Sequence, residues 1–224
     1  MPTIVRNIQR PNSEVVYGLG EAGVSTVHEA AGRIGLLDPV FRPIQDGVRI
    51  AGPAVTVLCA PGDNMMVHAA IEVIQPGDVL VVASTGQGTG GMFGDLLATQ
   101  VTARGGRGLV IDGGVRDIDD LRRMRFPVWS TVVHAQGVVK ETPGSINIPV
   151  NVRGLTVNPG DVVVADDDGV VVIPSELALT VLDAANRRTE NEAVKREKLA
   201  AGEMSLDLDG IRTKLESLGV EWVD

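Results

Sequence analysis

Cysteine is nearly absent: Cys59 stands alone among 224 residues. That excludes an internal disulfide and any zinc site built from several thiolates. Cys59 lies in the apolar run PAVTVLCAPG, where a buried, inert thiol is expected. Aromatic residues are also scarce, at 3%, so Val, Ile, Leu and Ala must fill the core. The three histidines, His28, His68 and His134, sit in apolar runs without a second histidine at metal-ligand spacing. Structural or surface roles are expected for them, and packing roles for Trp129, Trp222 and the Met65-Met66 pair. No apolar run approaches the ~20 residues needed to cross a bilayer, and MPTIVRNIQRP lacks an apolar leader segment. A cytoplasmic protein with no membrane partner is expected. Positive charge is the minority, with 20 Lys and Arg against 29 Asp and Glu and a net charge of -9. This argues against a nucleic-acid partner, which would need a basic face. An anionic small molecule is still compatible, because one arginine and a bound cation reverse the field inside a pocket.

What is present is an apolar, turn-rich chain, 44% hydrophobic, long enough for one substantial domain. VSTVHEAAGRIG predicts an early helix capped by Ser25 or Thr26 and stopped near Gly35. GVRIAGPAVTVLCAPGD reads as a strand with a bend at Gly52-Pro53, and NMMVHAAIEVI has helical spacing. The turn QPGD recurs as NPGD at 158–161, each introducing a Val-rich strand. Between them strand 79–84, a glycine loop, helix 94–104, strand 108–112, helix 117–124 and strand 128–133 alternate. That pattern predicts parallel strands with right-handed crossovers. The stretch 144–174 is β-rich, predicting a second sheet or an extension of the first. From Ser175 the chain is helical and charged. Residues 1–174 are therefore expected as the main domain, and 175–224 as a helical tail too polar to be core throughout, suited to embrace a neighbouring subunit.

The chemistry concentrates in STGQGTGGMFGDLLATQVTARGGRGLVIDGGVRD, residues 84–117. Its glycines let backbone approach a ligand closely, and a helix starting near Gly94-Asp95 points free N–H groups back at the loop, a setting for a carboxylate or phosphate. The loop is not the phosphate loop of nucleotide hydrolases, because no Gly-Lys-Ser/Thr follows. GQGTGG at 86–91 has dinucleotide-type spacing without an acidic residue for the ribose. Arg116 and Asp117 leave a second glycine turn at the carboxyl end of a strand, where open α/β sheets bind ligands. Asp117 capping the next helix and Arg116 forming a surface ion pair are the plainer alternatives.

The pattern of Asp95, twenty residues and Arg116-Asp117 inside GGMFGD…DGGVRD resembles the class II pyruvate aldolases of the regulator of ribonuclease activity A-like superfamily. These cleave 4-hydroxy-4-methyl-2-oxoglutarate and 4-carboxy-4-hydroxy-2-oxoadipate. The similarity continues through VVKETPGSINIPV and the tail NEAVKREKLAAGEMSLDLDGIRTKLESLGVEWV. The ribonuclease regulators of the superfamily lack the Asp-to-Arg-Asp motif. The resemblance implies a swivelling β/β/α three-layer sandwich with a C-terminal helical extension, assembled as a homotrimer or homohexamer. It implies that Asp117 directly ligates Mg²⁺ or Mn²⁺ and that Asp95 reaches the ion through water. Arg116 would meet the 2-oxo oxygen, and backbone amides of Phe93, Gly94, Asp95 and Leu96 the substrate carboxylate. Glu192, with Glu190 as the alternative, would come from an adjacent subunit's tail, and Lys140 would be a further site residue.

Retro-aldol cleavage takes a proton from the C4 hydroxyl and leaves a pyruvate enolate, so a cation and Arg116 suit the developing charge. Water oriented by Asp95 is the candidate proton carrier. A Schiff base would need a desolvated lysine, whereas Lys140 stands beside Glu141. The same enolate implies an oxaloacetate decarboxylase side activity. The rival reading is a non-catalytic binding protein of the regulator class.

Overall fold

A computed structural model describes residues 1–223, and the chain divides into a unit Met1–Ala185 and a smaller unit that begins at Asn186. Along the first unit run α1 (Ser13–Ala30), β1 (Arg42–Pro43), β2 (Ile50–Cys59), α2 (Met65–Ala70), β3 (Val79–Ser84) and β4 (Gly91–Phe93). There follow α3 (Asp95–Ala103), β5 (Gly108–Val115), α4 (Ile118–Arg123), β6 (Val128–Val133), β7 (Ser145–Ile146), β8 (Val150–Val152) and β9 (Leu155–Val157). Then come β10 (Val162–Asp166), β11 (Gly169–Ile173), a 3-10 turn (Ser175–Leu177) and α5 (Ala178–Ala200). Two short helices, α6 (Ser205–Leu208) and α7 (Ile211–Ser217), lie in the second unit.

Among the described residues nine strands form one sheet in the order β1-β6-β5-β3-β2-β10-β11, with β4 added to β5 and β7 to β2; β8 and β9 form a separate hairpin. The alternating middle of the sequence is the parallel part, β2-β3-β5-β6. The later strands extend the same sheet antiparallel through β10 and β11. β2 pairs with β10 over its first half and with β3 over its second, and the partner changes at Gly52-Pro53, where the sequence predicts a bend.

The period of two along each strand sorts the core into layers. Leu80, Val82, Leu109 and Ile111 face α2, α3 and α4, which contribute Val67, Ala98, Val101 and Leu121. Val79, Val81, Val110 and Trp129 face the other way, onto Val163, Ala165, Val170 and Val172 of the curled-over β10–β11 part. Trp129, fully buried, donates its indole N–H to the Asp166 carbonyl at 2.9 Å, joining β6 to β10 across that core. The result is the expected β/β/α arrangement, with α1 and the start of α5 covering Val162, Val164 and Ile173 outside it.

Two expectations of element placement need correction. The first helix starts at Ser13, capped by the Asn12 side chain, and not at Ser25 or Thr26. SEVVYGL supplies Val16 and Leu19 at helical spacing and both are buried. Gly23 breaks the helix with φ 79°, and the freed Val24 N–H donates to Asp166 Oδ2 at 3.0 Å. β5 continues to Val115 through a register shift after Ile111, so the second glycine turn is strand, not loop. Beyond Ser175, Ala178 and Val181 are buried against α1 and β11. In the second unit Trp222 is 61% exposed, with the Arg212 guanidinium 5.4 Å above its ring.

Both Pro-Gly-Asp turns are closed by their aspartate. Asp161 accepts from Asn158 N at 2.8 Å and Ser175 N at 3.2 Å. Asp78, 1% exposed, accepts from Gln75 N at 2.8 Å and from two nitrogens of Arg10, each at 2.8 Å, so the N-terminal arm is fastened by a bidentate buried pair. Removing one partner strands a buried charge, a loss of roughly 3–5 kcal/mol. Arg10→Ala should therefore lower Tm by roughly 10 °C, whereas Arg6→Ala, whose pair with Glu72 is largely exposed, should leave it unchanged. Calorimetric melts of the two variants check this, and equal Tm values would show that the arm is not fastened through Asp78.

Candidate active site

The candidate site lies at the carboxyl ends of the parallel strands. Asn64, His68, Met92, Phe93, Gly94, Asp95, Leu96, Arg116, Asp117 and Lys140 line a pocket of about 120 Å³. The two glycine turns meet because β4 lies parallel on the last residues of β5, with Gly91 beside Gly114 and Phe93 beside Val115. Any side chain at Gly114 would collide with the carbonyls of Thr89 and Gly90. Arg116 N donates to Phe93 O at 3.0 Å, which fixes Arg116-Asp117 against the start of α3.

Asp117 is held at φ 57°, ψ 41°, in the left-handed region, a conformation that costs a non-glycine residue of order 1–2 kcal/mol. It precedes α4, yet its side chain makes no cap hydrogen bond there. The carboxylate turns back to Gly94, where a Cβ would overlap Oδ2, and to Arg116 Nε at 3.6 Å. The capping role is thus not taken up, and Arg116 and Asp117 share the pocket with Asp95. Half of the Arg116 side chain remains open to a ligand.

Asp95 is the first residue of α3, whose N-cap is Gly94 and whose first turn has no side-chain cap. Gly94, Asp95 and Leu96 line the pocket at this helix start, which no side chain caps. Lys140 reaches the site from the connection between β6 and β7. Glu192 and Glu190 belong to the second unit, where Arg188 Nε meets Glu192 Oε1 at 2.8 Å.

The carboxylates that line the pocket are those of Asp95 and Asp117, and Asn64, also on its wall, has a buried side-chain oxygen with no hydrogen-bond partner. Among the described residues no group of three or more His, Cys, Asp or Glu converges on a point. A cage made wholly of protein is not built here; the donor set fits a hard cation that keeps most of its water. Cys59, buried and driven up to about 12 by burial and by Asp63, is an inert thiol, as its surroundings in the sequence suggest.

Sequence reasoning missed Asn64 and His68, and gave His68 a structural or surface role. The available signal was GDNMMVH: two polar residues four apart on a short, otherwise apolar helix that follows the carboxyl end of β2. Asn64, 6% exposed, donates Nδ2–H to Met92 O at 2.8 Å. The other two histidines do lie elsewhere: His28 Nδ1 is 3.2 Å from Ile34 O at the end of α1, and His134 is exposed beyond β6.

Known proteins share this sequence pattern and fold. The family model of RraA-like proteins, described as Aldolase/RraA, matches residues 22–172. A Halalkalibacterium halodurans protein provisionally named 4-hydroxy-4-methyl-2-oxoglutarate aldolase is 31% identical over 76% of this chain and 81% of its own length. A Burkholderia mallei protein of the same provisional name is 39% identical over 64% of this chain and 86% of its own. The crystal structure of Streptomyces coelicolor RraAS2, described as an unusual member of the RNase ES inhibitor RraA protein family, superposes with TM-score 0.77. It is 32% identical and covers 85% of this chain and 99% of that one.

Burial, and after it the Lys140 ammonium, push the His68 pKa below its ordinary 6.5. The imidazole is then neutral at pH 7, and removing the cation must move its titration upward. In ring-proton NMR His68 should titrate below 6.5, and Lys140→Met should raise the midpoint. An unchanged midpoint would separate Lys140 from His68.

Proposed function

The chain belongs to the RraA-like family, and we propose that within it this protein is a divalent-metal-dependent pyruvate aldolase. Its substrates would be 4-hydroxy-4-methyl-2-oxoglutarate, cleaved to two pyruvates, and 4-carboxy-4-hydroxy-2-oxoadipate, cleaved to pyruvate and oxaloacetate. The observation that carries the reading is Asp117, whose strained backbone turns its carboxylate away from the helix it precedes and into a pocket with Arg116 and Asp95. Strain kept at such a position serves a site rather than stability.

In this proposal Mg²⁺ or Mn²⁺ would be held directly by Asp117 and, through water, by Asp95, and would supply Lewis acidity at the 2-oxo group. Arg116 binds the 2-oxo oxygen and stabilises the negative charge that grows on it as the C3–C4 bond breaks. The amides of Phe93, Gly94, Asp95 and Leu96 take the adjacent carboxylate at the N-terminus of α3. Asp95 orients water to accept the C4 hydroxyl proton. Lys140, on the pocket wall, would meet a substrate's second carboxylate. Glu192 from the tail of a neighbouring subunit would complete the acid–base set in a homotrimer or homohexamer. Oxaloacetate decarboxylation follows from the same enolate, and the setting is cytoplasmic aromatic-acid catabolism.

Pyruvate release, followed by a coupled dehydrogenase, tests the reading with each substrate. Turnover should disappear after exhaustive chelation and return with Mg²⁺ or Mn²⁺. No pyruvate from either substrate with metal present favours the non-catalytic reading that the RraAS2 likeness suggests. Full turnover without metal would reject the metal route.

Arg116→Lys keeps the charge and loses the planar fork that can hold the enolate oxygen and a second partner. It should lower kcat and kcat/KM together by roughly 10²–10³, the usual loss for one preorganised donor. Steady-state kinetics on aldol cleavage and oxaloacetate decarboxylation, with circular dichroism as the folding control, measure this. Near-normal kcat on both reactions would return Arg116 to the surface ion-pair role.

A further inference from the structure

Lys140 is carried by a segment with no scaffold of its own. Residues 134–144 form neither helix nor strand apart from a single bridge at Val139, and Lys140 and Glu141 are exposed. Yet the backbone beside Lys140 converges on one buried carboxylate. Asp63, 2% exposed, accepts Glu141 N–H at 2.8 Å and Thr142 N–H at 2.6 Å on Oδ2, and Met65 N–H at 2.8 Å on Oδ1. A short ladder supports it: Val139 N donates to Gly62 O at 3.0 Å, and Asn64 N to Val139 O at 3.1 Å. The next residue, Asn64, holds the opposite wall through Met92 O at 2.8 Å.

We propose that Asp63 is a positioning residue of the active site, a clamp whose two carboxylate oxygens fix the Lys140 segment on one side and the start of α2 on the other. Together with Asn64 it sets the distance between the Lys140 wall and the glycine turn that carries Asp95. The part of this that concerns catalysis rests on the pyruvate-aldolase reading; the clamp itself does not.

The chemistry requires a carboxylate. Three N–H donors arriving from two directions need acceptors on both oxygens, and an amide would turn an NH₂ toward one set of donors. Burial alone would raise the carboxyl pKa, but the N–H groups of Met65, Glu141 and Thr142 and the Thr142 hydroxyl outweigh it, so Asp63 titrates below 3.8. The charge is therefore kept where it is expensive, and hydrogen bonds to a charged group are about twice as strong as neutral ones. Cys59 nearby contributes nothing to the clamp, since its thiol stays protonated. No contact among these residues needs the ion to be present.

Hydrogen–deuterium exchange and kinetics on wild type, Asp63→Asn, Lys140→Ala and the double variant test the clamp. Asp63→Asn should speed exchange in residues 139–143 by about tenfold or more while β3 keeps its protection. Its kcat for pyruvate release should fall by the factor that Lys140→Ala produces, and the double variant should fall no further. Should Asp63→Asn fail to fold, Asp63→Ser is read in the same way, since a short hydroxyl can reach Met65 N–H but not residues 141 and 142. Unchanged exchange at 139–143, or an equal rise in β3, overturns the clamp. Losses that multiply in the double variant, or a Lys140→Ala enzyme with wild-type kcat, overturn its action through Lys140. If wild type releases no pyruvate, the aldolase reading fails by that result alone and the exchange data still decide the clamp.

Discussion

The contact on which the site depends is the seating of three residues, Gly91–Phe93, against the end of β5. It requires bare backbone on both sides, because a Cβ at Gly114 would strike the Thr89 and Gly90 carbonyls and one at Gly94 would strike Asp117. Once seated, the strand ends in α3 and sends Asp95 and the helix N-terminus into the space beside Arg116. The glycine density of 86–94 and 113–114 is therefore a packing requirement first. Close approach to a ligand follows from it.

Around that contact the fold divides its labour by face. Apolar residues at period two make both surfaces of β3 and of the first half of β5 into core, and the polar side chains of the site stand at strand ends. Asp63, Asn64, Asp95, Arg116 and Asp117 all stand at or just beyond those ends. Asp63 spends its carboxylate, and Asn64 its amide N–H, on protein backbone, whereas Arg116 and Asp117 have little to hold but each other, 3.6 Å apart and substantially exposed. An exposed pair of this kind adds little stability, and the left-handed Asp117 subtracts some. The net cost falls on the residues best placed to meet a ligand.

Much of this was legible in the chain. The β3–α3–β5–α4–β6 alternation, the two Pro-Gly-Asp turns and the grouping of Asp95, Arg116 and Asp117 follow from periodicity, turn chemistry and strand-end position. What was not legible has identifiable causes. α1 was placed too late because its first half is capped by Asn12 and interrupted at Gly23, whose break is supported by Asp166 far along the chain. β5 was cut short because glycines at 113 and 114 look like a turn, while here they allow a neighbouring strand to come close. His68 and Asn64 were hidden in an apolar helix, and the partners of Asp63 lie nearly eighty positions away. Tertiary hydrogen bonds of that range leave no local pattern.

The overall acidity of the chain and the anionic ligand of its proposed site are compatible for a physical reason. At physiological salt an exposed charge is screened beyond about 8 Å, so the net -9 governs solubility and weak encounters rather than the pocket. Within the pocket the field comes from Arg116, Lys140 and the amides at the start of α3, against Asp95 and Asp117. Two cations, two anions and a helix N-terminus leave a site close to neutral with a positive bias at the amides, which a divalent cation would make decidedly positive. The same fold without Asp95, Arg116 and Asp117 would keep its layers, its turns and the hydrogen bonds of Asp63, and would lose three of the four charged side chains of the pocket. Fold and the proposed activity are separable in this architecture, and the separation would run through three side chains at the ends of two strands.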